Sequence, residues 1–236
     1  MIEEIYNDFY KAVFVKERYK FILTGIKNTL LISLISVVIG TLIGVIIAII
    51  NSYNRETKKA KIISKFCKLY VSIIRGTPVL LQLMIIYYVA FRDIRDINLI
   101  LVAALAFGIN SGAYVSEIIR AGIESIDKGQ LEAGRSLGLN YFQTLKLVIM
   151  PQAIKNILPA IGNEFITLVK ETSVAGYIGV MDLTKASDII ASRTYDYFFP
   201  LIIAALIYWC IVIILTKILK VFERSLMKNA WSKRYI

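Results

Sequence analysis

The chain has 236 residues, of which 57% are hydrophobic, and its mean hydropathy is +0.66. Soluble domains contain about 45–50% apolar residues, and a chain of this length is too short to bury such an excess in one core, so the composition favours a membrane protein. The net charge of +11 comes from residues between the apolar runs rather than from a stripe with interleaved aromatics, which argues against nucleic-acid binding. There is no histidine, and Cys67 and Cys210 lie too far apart for a metal-binding pattern.

Five apolar runs are long enough for transmembrane helices, at about 21–50, 71–91, 97–119, 157–177 and 198–219. About 20 apolar residues cross the hydrocarbon core of a bilayer, and none of the runs has the alternation of a barrel strand. Helices are the other way to satisfy backbone groups in lipid. We therefore expect an all-α integral membrane fold, with residues 1–236 forming a single transmembrane domain.

The first run contains a GxxxG step, formed by Gly40 and Gly44. This spacing puts two small residues on one helix face, where another helix can approach closely. A chance pair of glycines in an apolar helix is the alternative interpretation.

Basic residues predict the orientation of the chain in the membrane. The connections after the first and third runs carry six and five of them, and the C-terminal tail carries six more (Lys217, Lys220, Arg224, Lys228, Lys233 and Arg234). The opposite side carries four near the N-terminus and two in each remaining connection. Because cytoplasmic loops are enriched in Lys and Arg, we expect the N-terminus outside and the C-terminus in the cytoplasm.

The longest polar connection, about 124–155, predicts a helix, a sharp turn and a second helix on the cytoplasmic face. Residues 129–137 form the predicted short helix, and Gly138 ends it because glycine tolerates the left-handed conformation. Pro151 suits the first turn of the next helix, where no amide hydrogen is needed.

This connection contains Glu132, Ala133 and Gly134, then Gly138 after three residues, then Val148-Ile-Met-Pro151 after nine. The spacing resembles the EAA motif of bacterial ATP-binding-cassette (ABC) importer permeases, with Gly134, Val148 and Met150 as mild departures. Further segments resemble the polar amino-acid subfamily, which includes the histidine, arginine and glutamine permeases. They are Thr24-Gly-Ile-Lys-Asn-Thr-Leu-Leu-Ile-Ser33, Arg75-Gly-Thr-Pro-Val-Leu-Leu-Gln82, Ala113-Tyr-Val-Ser-Glu-Ile-Ile-Arg-Ala-Gly122 and Lys170-Glu-Thr-Ser173.

The resemblance covers about residues 20–225 and implies a type I importer permease of five transmembrane helices in the bacterial cytoplasmic membrane. It implies a dimer of permeases, cytoplasmic ATPase subunits docked on coupling helices, and an extracytoplasmic solute-binding protein. A second copy of this chain is the favoured dimer partner, and a related permease is the alternative. Glu132, Ala133, Gly134, Gly138 and Pro151 would then mediate ATPase coupling. The chain contains no GxxxxGK[ST] motif, so we expect ATP and Mg²⁺ to be bound by the partner and this chain to have no catalytic residue, metal or cofactor.

Polar residues inside the predicted helices are candidates for the substrate path, because ionisable groups are costly in lipid. Glu164 lies near the middle of the fourth run, beside Asn163 and one turn before Thr167. In the third run, Asn110 and Tyr114 share a helix face and Ser111 interrupts the apolar sequence. We expect the two faces to line one cavity. The residues Lys170, Glu171, Thr172 and Ser173 are candidates for a gate, with packing as the alternative.

A cationic substrate would need a buried carboxylate, and Glu164 is the candidate. The sequence therefore favours a basic amino acid such as arginine, lysine or histidine, with glutamine or another polar amino acid as the alternative. Glu164 pairing with a lysine or with the second copy is the structural alternative, and Glu117 with Arg120 is predicted as a structural ion pair. An ion-coupled secondary transporter would need paired broken helices, and a membrane anchor would not need polar faces at mid-depth.

Overall fold

A computed structural model of the chain describes residues 2–232, and every regular element in that range is helical. The α-helices are α1 (Ile2–Val13), α2 (Tyr19–Thr57), α3 (Lys61–Gly76), α4 (Val79–Ile85), α5 (Leu99–Glu124), α6 (Lys128–Ser136), α7 (Tyr141–Thr144), α8 (Met150–Glu171), α9 (Leu183–Thr194) and α10 (Phe198–Ser232). Short 3₁₀ helices cover Val15–Glu17 and Thr172–Ile178, and π-helical turns cover Ile86–Ala90 and Leu145–Ile149. Of the predicted cytoplasmic cations, Lys233 and Arg234 lie outside the described residues.

Three helices of the described range are long and apolar enough to cross a bilayer: Val15–Thr57, Leu99–Glu124 and Phe198–Leu226. In its most apolar stretch, α5 is 67% buried whereas α10 is 11% buried, so α5 is the central helix and α10 is peripheral. A bent pair, α3 with α4 and its π-helical turn, is together also long and apolar enough to cross a bilayer. It brings the number of candidate spans in the described range to four. The total of five transmembrane helices therefore stays a prediction.

The glycines of α2 form its contact with α5. A Cβ atom on Gly40 would lie 2.7 Å from the Ser111 side chain, and one on Gly44 would lie 2.6 Å from Val115 Cγ1. Since neither distance leaves room for a methyl group, the two backbones approach closely only because these residues are glycine. The prediction of a close helix contact at the GxxxG step is confirmed.

A second glycine pair on α5 completes this contact from the other side. A Cβ on Gly108 would lie 2.7 Å from Ile39, and one on Gly112 would lie 2.7 Å from Ile43. Side chains of each helix thus fill the gaps left by the glycines of the other. The sequence analysis did not identify this second step, although its spacing of four residues is the same.

The span predicted over 71–91 is not one straight helix. Gly76 ends α3, Val79 begins α4, and the two axes are bent by 111°. Pro78 explains the break, since proline forces the preceding residue out of the helical region, and Thr77 is extended at φ −126° and ψ 149°.

Two other differences occur after the fourth predicted span. The α-helix α8 ends at Glu171, and the chain continues as a 3₁₀ helix rather than as the predicted α-helical span to residue 177. The segment that follows, read from the sequence as a loop, contains α9. Asp182 begins α9 by accepting hydrogen bonds from the amides of Thr184 and Lys185, and it is fully buried. An aspartate at the N-cap is the signal that was available for this helix.

The main buried cluster joins α2, α4, α5 and α8 with the 3₁₀ helix. Its fully buried members include Ile32, Leu83, Phe107, Leu168 and Ala175. A second buried cluster joins α1 to α9 and α10, and it includes Ala12, Leu183 and Ile190. The core thus holds α5 and α8 side by side, which brings their polar faces into contact.

The replacement Gly44→Ala is expected to destabilise the protein by about 1–3 kcal/mol, because the added methyl group overpacks the contact with Val115. The matched control is Gly76→Ala, where a Cβ would meet no atom within 4 Å and alanine favours the helix. Thermal unfolding in mild detergent measures both. An equal loss of stability in the two variants would show that the α2–α5 contact is not responsible.

Candidate functional site

A hydrogen bond between α5 and α8 lies at the centre of the polar region. The Ser111 hydroxyl donates to Glu164 Oε1 over 2.8 Å, and Ser111 is completely buried. Gly40 of α2 packs directly on Ser111, so three helices fix the position of this hydroxyl. The Glu164 side chain is half-buried, and its hydrogen-bond partner is a neutral group rather than a cation.

Asn110, the neighbour of Ser111, belongs to a different hydrogen-bond network. Its amide nitrogen donates to Gln82 Oε1 over 2.9 Å, and both residues are buried at 3% and 8% exposure. Gln82 Nε2 in turn lies 2.8 Å from the carbonyl oxygen of Ile74 and 2.8 Å from Thr77 Oγ1. The network fastens the α3–α4 bend to α5, because the Ile74 carbonyl lies in the last turn of α3, where carbonyl groups lack helical partners.

The sequence analysis did not assign a role to Gln82. It quoted the residue only within the Arg75–Gln82 segment, since a glutamine after a proline does not by itself indicate its partner. Its position four residues after Pro78, in a helix otherwise apolar, is the signal that was available.

The remaining substrate candidates do not converge on Glu164. Asn163 is exposed and donates to Pro159 O of its own helix over 3.2 Å, and Thr167 is half-buried. Tyr114 lies below the Arg75 guanidinium, whose carbon is 5.4 Å from the ring centroid. Within the single chain, the predicted set therefore contributes one direct contact between its two helices, from Ser111 to Glu164.

The gate candidates lie where α8 passes into the 3₁₀ helix. Thr172 is buried and donates to Val169 O over 2.9 Å, and Glu171 is half-buried. Lys170 and Ser173 line a cavity of 290 Å³ between α8, α9 and α10, together with Thr184 and Tyr208. The four residues thus point to different surroundings.

A cluster of ion pairs occupies the other end of α5. Arg120 is 2.8 Å from Glu117 Oε2 and 2.6 Å from Glu124 Oε2. Arg75 reaches Glu117 at 3.6 Å and Arg55 reaches Glu124 at 3.5 Å. The predicted Glu117–Arg120 pair is confirmed, and it extends into a network that ties α2, α3 and α5 together.

The segment after α5 has the predicted helix–turn–helix form. The helix α6 begins after Asp127, whose carboxylate accepts from the Gly129 amide, and it ends before Gly138 at φ +82°. The Leu139 amide donates to Gly134 O over 3.2 Å, which is the six-residue closure of a glycine-terminated helix.

Pro151 is the second residue of α8, but the π-helical turn Leu145–Ile149 continues into α8 without a break. The second helix therefore begins after Asn140, whose side chain forms a capping box with Gln143. The role of Gly138 as a helix signal is confirmed, whereas Pro151 does not mark the start of the next helix.

Side chains attach this segment to the end of α2. The Tyr141 hydroxyl lies 3.1 Å from Ser52 Oγ and 3.4 Å from an Arg55 nitrogen. Inside the segment, Gly134 packs on Thr144 with no room for a Cβ atom. The short helix α7 thus connects α6 to α2, since it packs on Gly134 of α6 and is hydrogen-bonded to Ser52 of α2.

Several residues of the segment are exposed in the described part of the chain. Glu132, Ala133 and Gly138 are exposed, and Leu137 is 83% exposed although it is apolar.

Comparison with known proteins identifies the relatives of the chain. The sequence profile of the binding-protein-dependent transport system inner membrane components matches residues 40–228. A putative glutamine transport system permease of Rickettsia conorii is 40% identical over 94% of this chain and 97% of its own length. The arginine transport system permease of Bacillus subtilis is 44% identical over 89% and 94%. A crystal structure described as an amino acid ABC transporter with histidines superimposes with a TM-score of 0.82 at 43% identity, over 89% of this chain and 96% of that one.

The replacements Gln82→Leu and Asn110→Leu are each expected to destabilise the protein by about 1–3 kcal/mol, because each leaves a buried amide without its partner. The double variant should lose less stability than the sum of the two single variants, since neither amide then remains buried without the other. Thermal unfolding in detergent measures this double-mutant cycle. Asn163→Leu is the matched control, because that amide is exposed and bonds only within its own helix. Additive losses would show that Gln82 and Asn110 act independently.

Proposed function

The chain belongs to the family of binding-protein-dependent transport system inner membrane components, and we propose that within this family it forms the translocation path for a basic L-amino acid such as arginine, lysine or histidine. It is the multi-pass permease subunit of an amino-acid ABC importer and has the all-helical type I permease fold. The permease is not an enzyme: a separate cytoplasmic ATPase hydrolyses ATP, and a substrate-binding protein completes a transporter of this family.

The Glu164 carboxylate is the observation that carries the proposal. It lies in the middle of α8, half-buried, with one oxygen held by the Ser111 hydroxyl. A carboxylate in this position is costly unless a cation or several donors compensate it. An ammonium, guanidinium or imidazolium group of a substrate would supply that compensation at the second oxygen. The named arginine permease and the structure described with histidines support the same substrate class.

Glutamine is the second candidate, and a specific observation favours it. Several Rickettsia relatives that are 40–42% identical are named putative glutamine permeases. A glutamine side chain can donate its amide hydrogens to Glu164 and accept from neighbouring hydroxyl groups. The two candidates differ in whether the charge of Glu164 is needed for binding.

Coupling to the ATPase is proposed to run through α6. The exposed surface of Glu132, Ala133 and Leu137 would dock on the ATPase, with Gly134, Gly138 and Pro151 keeping the segment rigid. From there the contacts continue through Tyr141 to Ser52 of α2, and α2 packs on Ser111 through Gly40. A rigid displacement of α6 would thus reach Glu164 through hydrogen bonds and packed glycines.

The remaining assignments are proposals of the same kind. Two copies of the permease would form a homodimer, with the N-terminus outside and the C-terminus in the cytoplasm. Lys170, Glu171, Thr172 and Ser173 would serve as the gate on the side of the binding protein. ATP and Mg²⁺ would be bound by the partner ATPase alone.

Glu164→Gln is expected to weaken arginine transport by about 10–100-fold, because a hydrogen bond to a charged group contributes about 1.5–3 kcal/mol. Glutamine keeps the shape of the side chain and can still accept from Ser111. The measurement is uptake into proteoliposomes that contain the permease, its ATPase and its binding protein. Arginine and its uncharged isostere citrulline are compared as substrates.

Citrulline uptake is the internal control, since its loss would indicate damage to the path rather than to charge recognition. Copurification of the ATPase with the variant checks assembly. Unchanged arginine kinetics in Glu164→Gln would refute the role of this carboxylate. Wild-type uptake of glutamine without arginine would instead support the second candidate.

Gly138→Val is expected to reduce copurification of the ATPase and transport-coupled ATP hydrolysis, because a side chain at φ +82° costs about 1–2 kcal/mol and distorts the end of α6. Gly129→Ala is the matched control in the same helix: Gly129 has no positive φ, and the nearest atom to its new Cβ is the flexible Asp127 carboxylate. Full coupling in Gly138→Val would count against a rigid coupling segment.

A further inference from the structure

A cavity of 490 Å³ lies between α2, α3 and α5, and most of the side chains that line it are polar or charged. It contains no residue of the proposed substrate path. Its charged lining consists of four cationic and two carboxylate side chains: Arg55, Lys58, Lys68, Arg120, Glu117 and Glu124. This volume and charge are suited to a polar group considerably larger than a water molecule.

The cavity has an excess of positive charge. Both carboxylates are already compensated, since Arg120 pairs with Glu117 and Glu124, and Arg55 approaches Glu124. The ion pairs of the described side chains in this cavity include neither lysine. Lys58 and Lys68 thus leave two positive charges facing one polar space, which favours an anionic ligand.

The rim of the cavity on α3 is amphipathic. Lys61, Lys65 and Lys68 follow one another at helical spacing and form a basic stripe, of which Lys68 borders the cavity. The neighbouring stripe is apolar and exposed in the single chain: Ile62 72%, Phe66 67%, Leu69 53% and Ile73 53%. A helix with adjacent basic and apolar stripes is typical of a segment that lies in a membrane interface.

We propose that this cavity binds the phosphate headgroup of an anionic phospholipid, whose acyl chains lie along the apolar stripe of α3. The two uncompensated lysines match the negative phosphodiester, and the apolar stripe matches the hydrocarbon. A free phosphate would satisfy the first feature but leave the second without a partner. Clusters of Lys and Arg next to a transmembrane helix are known to favour anionic lipids.

The site has a direct connection to the coupling segment. Arg55 lines the cavity, pairs with Glu124 and also approaches the Tyr141 hydroxyl. A headgroup beside Arg55 therefore adjoins the contact through which α7 is attached to α2. Bound lipid would stabilise that attachment, so the ATP-driven step should depend on the anionic lipid content of the membrane.

The test is lipid retention by the intact transporter, measured by native mass spectrometry after reconstitution in phosphatidylglycerol, phosphatidylcholine or an equal mixture. The wild type is expected to retain phosphatidylglycerol selectively. Lys58→Gln with Lys68→Gln should reduce retention about 25-fold, since each cation near an anionic surface contributes about a fivefold factor. Lys68→Gln alone should give an intermediate loss, which keeps the test valid if the pair fails to assemble.

The matched control is Lys217→Gln with Lys220→Gln, which removes the same charge from exposed positions on α10. It should retain more phosphatidylglycerol than the cavity variant, because Lys217 and Lys220 do not line the cavity. The ATPase rate should rise with the fraction of this lipid in the wild type and control but not in the cavity variant.

Four outcomes would overturn the proposal. Equal retention of phosphatidylglycerol by the cavity variant and the wild type would show that the two lysines do not bind the lipid. Retention of phosphatidylcholine equal to that of phosphatidylglycerol would show that the site does not recognise charge. Protection against thermal unfolding by inorganic phosphate as strong as that by phosphatidylglycerol would indicate a free-anion site. Loss of the dimer in Phe66→Ser, with lipid retention unchanged, would assign the apolar stripe to a second copy of the chain.

Discussion

The close contact of α2 with α5 is the constraint on which the rest of the structure depends. In lipid, helices gain little from burying apolar groups against one another, so close packing and hydrogen bonds between helices must hold them together. The glycines of each helix receive side chains of the other, and the central position of α5 follows from this contact. The Ser111 hydroxyl is fixed by the same packing, because Gly40 lies directly on it.

Polar groups inside the bundle are arranged in two separate ways. Gln82 and Asn110 form a closed network around the α3–α4 bend, in which the donors and acceptors partner one another. Glu164 is different, since among the described residues its one side-chain hydrogen bond is with a neutral hydroxyl, which leaves acceptor capacity unused. A satisfied buried network holds the helices in one arrangement, whereas an incompletely compensated carboxylate can bind a ligand. The contrast separates the structural polar residues from the candidate binding residue.

Two irregular parts of the helices occur where the chain changes direction. Thr77 and Pro78 produce the 111° bend of α3 and α4, and the 3₁₀ helix after Glu171 connects α8 to α9. Backbone of this kind is tolerated at membrane depth only where protein or water satisfies its polar groups. At the first of these breaks, the Gln82 side chain donates hydrogen bonds to the backbone carbonyl groups of Ile74 and Thr77. At the other end, the Tyr141 and Arg55 contacts attach the coupling segment to α2, whose 39 residues, about 58 Å long, exceed the thickness of the hydrocarbon core.

The sequence by itself determined the features that depend on local chemistry. Hydropathy was sufficient for the all-helical membrane class, and the helical conformation of α6 and the left-handed Gly138 followed from backbone preferences of single residues. The spacing of the polar segment was also sufficient to indicate the permease family, because the motif lies within one continuous stretch. The Glu117–Arg120 pair was predictable for the same reason, since its residues are one helical turn apart.

Only the tertiary structure decided which polar residues meet across helices. Asn110 and Ser111 are adjacent in sequence, yet one faces Gln82 of α4 and the other Glu164 of α8. Their side chains point about 100° apart on the helix, and the neighbours on each side are set by packing between segments distant in the chain. The burial of the α9 cap and the basic cavity depend on such long-range contacts as well. Hydropathy and residue spacing are properties of one continuous segment, so they predict its local structure. The partner of a buried polar group depends instead on how segments distant in the chain pack together.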